Sequence, residues 1–222
     1  MVDNLILDGE YLQLQNGVIK QKDGKIEIKY GIDYISKGYS SLIPDEILTK
    51  MAGLRLGYLL GSIDEDINSI LDVGYGSGEF LKVCVDRGIN SEGIDVPEVP
   101  LPDNVIQGNF NKPYDVICFF YSLEHFPNID FVKDLDCKYI YISAPWCHYC
   151  SNPDLEENWF RDWKHRKYGE HLWHFDDKSL TNFLREHNFE VIKVSNIEDT
   201  IRKGTDNLEN ILTVIARKIE ND

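Results

Sequence analysis

Apolar residues follow two different periods along this chain, and the two periods alternate. Short apolar runs bounded by turn residues predict strands that are buried on both faces. Apolar residues at helical spacing predict helices between several of these runs. The predicted strands are 70–73, 90–95, 105–107, 114–121, 138–143, 189–195 and 211–216, and the predicted helices are 44–63, 79–85 and 178–187. This alternation predicts an α/β sandwich around a mostly parallel sheet, in which the last two strands form an antiparallel pair.

Polar residues mark where two of the predicted helices begin. Pro44 suits a first helical position, and the acidic residues Asp45 and Glu46 suit a first turn. Asp176 or Asp177 can cap the helix over 178–187, because a carboxylate accepts from the free amides of a first turn.

The N-terminal segment has a different pattern, in which polar and apolar residues alternate. Alternation over 11–15 and 25–30, with a turn signal at 21–24, predicts a small hairpin with polar faces. We interpret residues 1–43 as an arm packed on the domain that follows; a lid or a dimerisation element is the alternative. Three tyrosines of this arm are expected near the mouth of the ligand crevice: Tyr30, Tyr34 and Tyr39.

Composition limits the classes of partner and the cellular setting. The 222 residues suffice for one domain with a full core, and the net charge of −15 argues against a nucleic-acid or anionic-membrane surface. No apolar run approaches the ~20 residues of a membrane-spanning helix. The N-terminus lacks the basic and apolar regions of a signal peptide. The five cysteines are expected to be thiols, mostly buried, which indicates a reducing, cytoplasmic setting.

The stretch from Asp72 to Glu79 carries the strongest chemical signal. Glycines stand at every second position after the first strand, at Gly74, Gly76 and Gly78. Glycine allows positive φ and close approach of a ligand to the backbone, and the following helix N-terminus offers free amides. A dinucleotide fingerprint would place a third glycine where Glu79 stands, and this carboxylate would repel a pyrophosphate.

Asp95 stands 21 residues after Gly74, at the end of the second predicted strand. A carboxylate at this distance can accept from both hydroxyls of a ribose. Asp95 and the glycine run therefore predict an adenosine-type ligand, although the spacing alone does not distinguish NAD from a sulfonium nucleoside.

Together, Asp72 and the G-x-G-x-G run resemble motif I of the class I S-adenosylmethionine-dependent methyltransferases. The resemblance covers about residues 45–218 and is to members of the small-molecule type. It implies a Rossmann-like three-layer sandwich with a seven-stranded sheet, a methyltransferase domain over 44–222, and a glycine loop against the methionine part of the cofactor. In that family an acid often follows the third strand and reaches the adenine amino group; here Asn109 takes its place, and Phe110 can stack on the ring.

The segment after the fourth strand resembles motif IV of the same family, in which an LEH-P sequence closes the strand. Residues at the carboxyl ends of parallel strands face the ligand crevice. The resemblance implies that Tyr121 lies at the cofactor, towards the acceptor, and that Glu124 and His125 can act on an acceptor proton. The alternative is that His125 braces the loop.

A Cys-x-x-Cys pair, Cys147 and Cys150, encloses His148, and three histidines follow it in the next segment: His165, His171 and His174. A zinc site needs three or four protein ligands at regular spacing, and this pattern is incomplete, so no metal is assigned. The aromatic-rich segment over 151–170 is predicted to be a long loop. In the resembling family, an insertion at this place forms much of the acceptor pocket.

These features predict an S-adenosylmethionine-dependent methyltransferase that acts on a small-molecule or carbohydrate-like acceptor. Two alternatives remain at this stage: an NAD-dependent oxidoreductase, and a non-catalytic module that keeps the fold. No partner in nucleic acid or membrane is expected, and the sequence does not determine the oligomeric state.

Overall fold

The structure is a computed structural model that describes residues 5–7, 9–29, 43–96, 99–152, 155, 157–204 and 208–219. Its strands are β1 (Leu5–Leu7), β2 (Tyr11–Gln13), β3 (Ile19–Gln21), β4 (Ser69–Val73), β5 (Asn90–Ile94), β6 (Ile106–Gln107), β7 (Tyr114–Phe120), β8 (Cys137–Pro145), β9 (Trp173–His174), β10 (Phe189–Ser195) and β11 (Ile211–Lys218). Its α-helices are α1 (Asp45–Leu60), α2 (Glu79–Asp86), α3 (Glu157–Asp162) and α4 (Asp177–Glu186).

Seven strands form the main sheet in the order β10-β11-β8-β7-β4-β5-β6. The strands from β4 to β8 are parallel, whereas β11 runs antiparallel to both β8 and β10. The predicted α/β fold, with a mostly parallel sheet and an antiparallel last pair, is therefore confirmed. Strand order reverses on either side of β4, and in such sheets this reversal opens a crevice beyond the carboxyl ends of the strands.

Alternate residues of the central strands point to opposite faces of the sheet. Ile70 of β4 faces the side covered by α1 and α2, while its neighbour Leu71 faces the side covered by α4. Because both faces are covered, the strands are nearly continuously apolar, which explains why their positions could be predicted.

Helix α4 begins with a capping box. Asp176 accepts from the Ser179 amide at 2.8 Å, and the Ser179 hydroxyl accepts from the Asp176 amide at 2.9 Å. The predicted cap is thus Asp176, and Asp177 is the first helical residue. Pro44 in turn precedes the first helical residue of α1 rather than being that residue.

The predicted N-terminal hairpin is wrong in its second strand. Residues 22–29 belong to no strand, and β2 pairs instead with β3, which begins before the turn signal at 21–24. The turn is made at Gly17, whose φ of +91° favours glycine. The three arm tyrosines Tyr30, Tyr34 and Tyr39 lie outside the described residues.

Strand β3 also pairs with β9, so that β1, β2, β3 and β9 form a second sheet of four strands. Strand β9 and helix α3 were not predicted, and α3 occupies part of the predicted loop over 151–170. Within the described residues, no helix is both long and apolar enough to cross a bilayer.

Candidate active site

A cavity of about 700 Å³ opens at the carboxyl ends of β4, β5 and β7, where the strand order reverses. Its walls come from α1, the loop after β4, the end of β5, the segment after β7 and the segment before β9. Its described lining residues include these positions that the sequence analysis singled out: Asp72, Gly74, Gly76, Glu79, Asp95, Tyr121, His125, His165 and His171.

Two of the three loop glycines are required by close packing. Gly74 has a φ of +80°, and a Cβ there would lie 2.6 Å from the Cβ of Ser122. Gly78 has a φ of +70°, and a Cβ there would lie 2.2 Å from Cγ of Pro102. Both distances are far shorter than carbon atoms tolerate, so a larger residue would displace the loop.

Gly76, which lines the cavity, differs from the other two glycines because the space next to its α-carbon is open. Its φ is +54°, and a Cβ there would meet no other described atom within 4 Å. The backbone at Gly76 is therefore a cradle that a side chain would fill. Such a surface suits a ligand that lies directly on the main chain.

Asp95 is bound to this loop, as its spacing from Gly74 predicted. Its Oδ2 accepts from the Gly76 amide at 2.8 Å, and its Oδ1 accepts from the Val96 amide at 2.7 Å. These bonds hold the carboxylate at the end of β5 beside the cavity.

Asp72 is a buried carboxylate at the base of the cavity. Its residue is 2% exposed, and its Oδ1 has no hydrogen-bond partner among the described residues. Burial raises its pKa to about 7, and the nearby Arg55 guanidinium offsets only part of this effect. A buried acceptor of this kind is costly unless a ligand supplies the donor.

Asn109 and Phe110 lie outside the set of described residues that line the cavity. The Asn109 side-chain oxygen accepts from the Asn111 amide at 2.9 Å, which closes a local turn. Phe110 packs beside Phe131, with ring centroids 5.8 Å apart. The structure therefore does not bring these two residues together with the glycine loop and Asp95.

Tyr121 is held in the left-handed region, with a φ of +56°, directly after β7. Its amide donates to the Ser143 carbonyl at 2.8 Å. The guanidinium of Arg202 lies 4.8 Å from the centre of the tyrosine ring. Arg202 also lines the cavity, so a cation and an aromatic ring stand side by side in the wall.

A buried ion pair that no sequence pattern indicates joins Arg55, which lines the cavity, to Glu198. Arg55 of α1 forms a bidentate ion pair with Glu198, with N–O distances of 2.8 and 2.9 Å. The Ser143 hydroxyl also donates a hydrogen bond to Glu198, at 2.6 Å. Burial alone would raise the Glu198 pKa, but Arg55 and Ser143 together hold it below its ordinary value. Because the partners lie 143 positions apart, no local pattern could reveal the pair.

The other end of the cavity is lined by histidines and two charged residues. The His125 Nδ1 is 2.9 Å from the Glu170 carbonyl, and the His171 Nδ1 is 2.8 Å from the His165 carbonyl. The rings of His125 and His171 lie edge to face, with centroids 4.8 Å apart. Burial lowers the pKa of both, so both rings are neutral at pH 7.

Glu124 points away from solvent beside these rings. It is 1% exposed, and both carboxylate oxygens lack a hydrogen-bond partner within the part of the chain that the structure describes. Burial raises its pKa to about 8. Unlike its neighbour His125, Glu124 lies outside the set of described residues that line the cavity.

The Cys-x-x-Cys pair lies elsewhere, in the apolar cluster beneath the second sheet. Cys147 and Cys150 are buried thiols, and the His148 Nε2 is 2.8 Å from the Glu209 carbonyl. Among the described residues, the group that brings three metal-binding side chains within 4.8 Å of one another is instead Glu124, His125 and His171.

Comparison with known proteins agrees with this fold. A family model described as a methyltransferase domain matches residues 49–194, which is more than half of the chain. No curated protein matches the sequence.

Solved structures share the fold at low sequence identity. The 1,6-didemethyltoxoflavin-N1-methyltransferase of Burkholderia thailandensis, with bound 1,6-didemethyltoxoflavin and S-adenosylhomocysteine, is 10% identical, with 99% of this chain and 100% of that chain covered and a TM-score of 0.58. The magnesium protoporphyrin IX methyltransferase of Synechocystis, with bound S-adenosylhomocysteine, is 12% identical, with 78% and 84% covered and a TM-score of 0.52. The plantazolicin methyltransferase is 15% identical, with 84% and 89% covered and a TM-score of 0.53.

The fold defines a Rossmann-like α/β protein with a cavity at the carboxyl ends of its parallel strands. The chain belongs to the methyltransferase domain family, whose class I members use S-adenosylmethionine as cofactor.

Proposed function

We propose that this protein transfers the methyl group of S-adenosylmethionine to a small-molecule acceptor. The observation that carries the proposal is the pairing of an open backbone cradle at Gly76 with the buried, unpartnered Asp72 oxygen in one cavity. The proposed cofactor-binding residues are Asp72, Gly74, Gly76, Asp95 and Tyr121. Gly78 lies outside the described cavity lining and packs against Pro102, so we leave it out of the proposed set.

The residues present fit this cofactor. Asp72 offers a buried acceptor for its ammonium group, and the flat backbone at Gly76 allows close approach of its amino-acid part. Asp95 already stands beside Gly76 and keeps acceptor capacity for a ribose diol. Glu79, which lines the same cavity, would repel a diphosphate and so disfavours NAD. We leave Asn109 and Phe110 out of the proposed set because of their position.

Bound there, S-adenosylmethionine supplies an electrophilic methyl group on a positively charged sulfur. The contribution of the chain is to hold the two reactants in line, about 3–3.5 Å apart, which can supply much of the rate. On α1, Ile47, Leu48 and Met51 give the cavity an apolar wall. We place the acceptor between Tyr121 and the pair His125 and His171, which line that end of the cavity, and propose that a proton leaving the acceptor passes to an imidazole there.

The proposal is tested by calorimetric titration of the purified protein with S-adenosylmethionine, S-adenosylhomocysteine and NAD in parallel. We expect the two sulfur ligands to bind and NAD not to bind. The Gly76→Arg variant should lose at least about 100-fold in affinity, because the side chain fills the cradle.

Gly88→Arg is the matched control. Gly88 also has a positive φ, +78°, and a Cβ there meets no described atom within 4 Å, but it lies outside the cavity lining. It should keep the wild-type affinity, with both variants retaining the native far-UV spectrum. If the wild type binds neither S-adenosylmethionine nor S-adenosylhomocysteine, the proposal is contradicted and a non-catalytic module is favoured.

A further inference from the structure

The charged side chains that line the cavity differ between its two ends. The end at the glycine loop carries the carboxyl groups of Asp72, Glu79 and Asp95. The end lined by histidines carries the cationic side chains of Lys167 and Arg202. Charges interact more strongly where a ligand displaces water, so each end favours ligand groups of the opposite sign. The first end suits the ammonium and sulfonium groups of the proposed cofactor, and the second suits an anionic group of the acceptor.

Arg202 is held in the cavity wall through its backbone and its side chain. Its amide donates to the Glu198 carbonyl at 2.8 Å, and its carbonyl accepts from the Asn210 side-chain amide at 2.9 Å. Its guanidinium lies 4.8 Å from the centre of the Tyr121 ring. A side chain that is already ordered loses little further freedom when a ligand binds. A guanidinium also carries five N–H donors in one plane, which match the two oxygens of a carboxylate.

The two ionised carboxylates nearest to this part of the wall have other cations as partners. Glu198 forms its bidentate ion pair with Arg55, at 2.8 and 2.9 Å. Burial raises the pKa of Glu198, and Arg55 offsets this effect more strongly than Arg202 does. The Glu170 carboxylate lies 2.8 Å from the Lys167 Nζ. Each of these carboxylates thus has a cation of its own.

The other titratable groups of this end add no negative charge at pH 7. Burial raises the pKa of Glu124 to about 8, so its carboxyl group is mostly protonated. Burial and the charge of Lys164 lower the pKa of His165 to about 4, and Lys167 and Arg202 act in the same direction. The surroundings of His165 therefore disfavour a further positive charge and favour a negative one.

Apolar residues complete the lining beside these charges. The segment after β7 contributes Phe126 and Pro127, and the end of β8 contributes Pro145. Small-molecule sites typically combine apolar walls with a few polar groups that fix the orientation of the ligand. A ligand that fits this end therefore has an apolar body as well as an anionic group.

We propose that the acceptor is a small molecule with a carboxylate on a mainly apolar body, and that Arg202 binds this carboxylate. The inference rests on the proposed function, because the acceptor is the molecule that the proposed reaction methylates. Arg202 then determines acceptor specificity. A neutral molecule of the same shape would displace water from the guanidinium without replacing its hydrogen bonds fully, and this is costly.

The test compares three probes of similar shape and different charge, namely benzoate, benzamide and benzylamine. Each probe is titrated into the full-length protein in the presence of saturating S-adenosylhomocysteine, and binding is followed by ligand-observed NMR. We expect benzoate to bind at least about tenfold more tightly than benzamide, because a hydrogen bond between ionised groups is roughly twice as strong as a neutral one. Benzylamine should bind more weakly than benzamide.

Arg202→Met should abolish the preference for benzoate over benzamide and leave the affinity for benzamide nearly unchanged. Arg202→Lys keeps the charge without the planar donor array, so it should retain part of the preference. Arg185→Met is the matched control, because Arg185 is exposed on α4 and lies outside the described cavity lining. The control should keep the wild-type preference, and all three variants should keep the native far-UV spectrum.

Equal affinities of the wild type for benzoate and benzamide would overturn the proposal. No binding of benzoate up to about 10 mM, an affinity too weak for recognition, would do the same. A preference that persists in Arg202→Met, or that is lost equally in Arg185→Met, would refute the role of Arg202.

S-adenosylhomocysteine is titrated into the same samples to separate the acceptor from the cofactor. If Arg202→Met loses affinity for this ligand, Arg202 binds the carboxylate of the cofactor and the inference is wrong. If the wild type does not bind S-adenosylhomocysteine, the proposed function fails. The probe titrations, repeated without that ligand, then still decide whether Arg202 binds a carboxylate.

Discussion

At the scale of single residues, some positions of the site could be predicted from their spacing in the sequence, and others could be identified only from the folded structure. Asp72 and Asp95 were found because each stands at a strand end, at a fixed distance from Gly74, and the structure places both at the cavity. Asn109 was assigned by position in the chain, yet a local turn engages its side chain away from the cavity. That Glu124 and His125 would meet His171 could not be predicted, because the meeting depends on the path of the chain between them.

Asp72 makes stability depend on pH in an unusual direction. Burial raises its pKa from 3.8 to about 7, so the folded state holds a proton that the unfolded chain releases above about pH 4. The contribution of Asp72 therefore lowers stability progressively between about pH 4 and 7. The difference between the two pKa values corresponds to a loss of at most about 4 kcal/mol in the free energy of unfolding.

Asp72→Asn removes this titration. We expect the variant to gain stability relative to wild type as pH rises from 4 to 7, with a constant difference above that. Urea unfolding of both proteins without ligand, at several pH values, measures the difference. A stability difference that does not change with pH would contradict the assignment of a raised pKa to Asp72.

At the scale of elements, the main sheet was predictable and the second sheet was not. Strands β4 and β7 carry apolar residues for both faces, so their sequences alone mark them as buried. Strand β9 has two residues and exists because β3 pairs with it. Its own sequence contains no periodic signal, and the pairing joins parts of the chain that lie far apart.

The pair Arg55 and Glu198 ties α1 to the turn between β10 and β11. Glu198 is 0% exposed, so removal of the arginine leaves a buried carboxylate without its main cation. Arg55→Met should destabilise the protein by about 3–5 kcal/mol, measured by urea unfolding.

The double variant Arg55→Met/Glu198→Gln is the control for that experiment. The Glu198→Gln change removes the buried carboxylate that the Arg55 change leaves unpaired, so the double variant should recover part of the lost free energy of unfolding. If the double variant is as unstable as the single one, packing of Arg55 rather than the buried charge is responsible.

At the scale of the whole molecule, the N-terminal strands are joined to the wall of the cavity. The Glu27 amide donates to the Gly169 carbonyl at 2.8 Å, and the Gly169 amide donates to Gln21 at the same distance. Gly169 has a φ of +76°, and a Cβ there would lie 2.6 Å from Cγ of Glu27. The arm therefore packs directly on the segment that carries His165, Lys167 and His171.

Gly169→Ala should loosen this junction without disturbing the main sheet. We expect faster amide hydrogen exchange over 19–29 and unchanged exchange over β4 and β7, measured by mass spectrometry. Gly88→Ala is the control, because it carries a similar positive φ but meets no described atom. Equal changes in exchange in both variants would assign the effect to backbone strain rather than to the lost junction.

The second sheet joins segments that lie far apart in the sequence, and this affects the order in which the chain folds during its synthesis. The Tyr11 hydroxyl donates to the Arg166 carbonyl, 155 positions later in the chain. Strand β3 is likewise synthesised long before its partner β9. A ribosome releases the N-terminal strands first, so they emerge well before their partners have been synthesised. The central strands can pair during this time, but the histidine-lined end of the cavity is completed only after the segment over 165–174 has left the ribosome. A nascent chain thus acquires the end of the cavity at the glycine loop before the end lined by histidines.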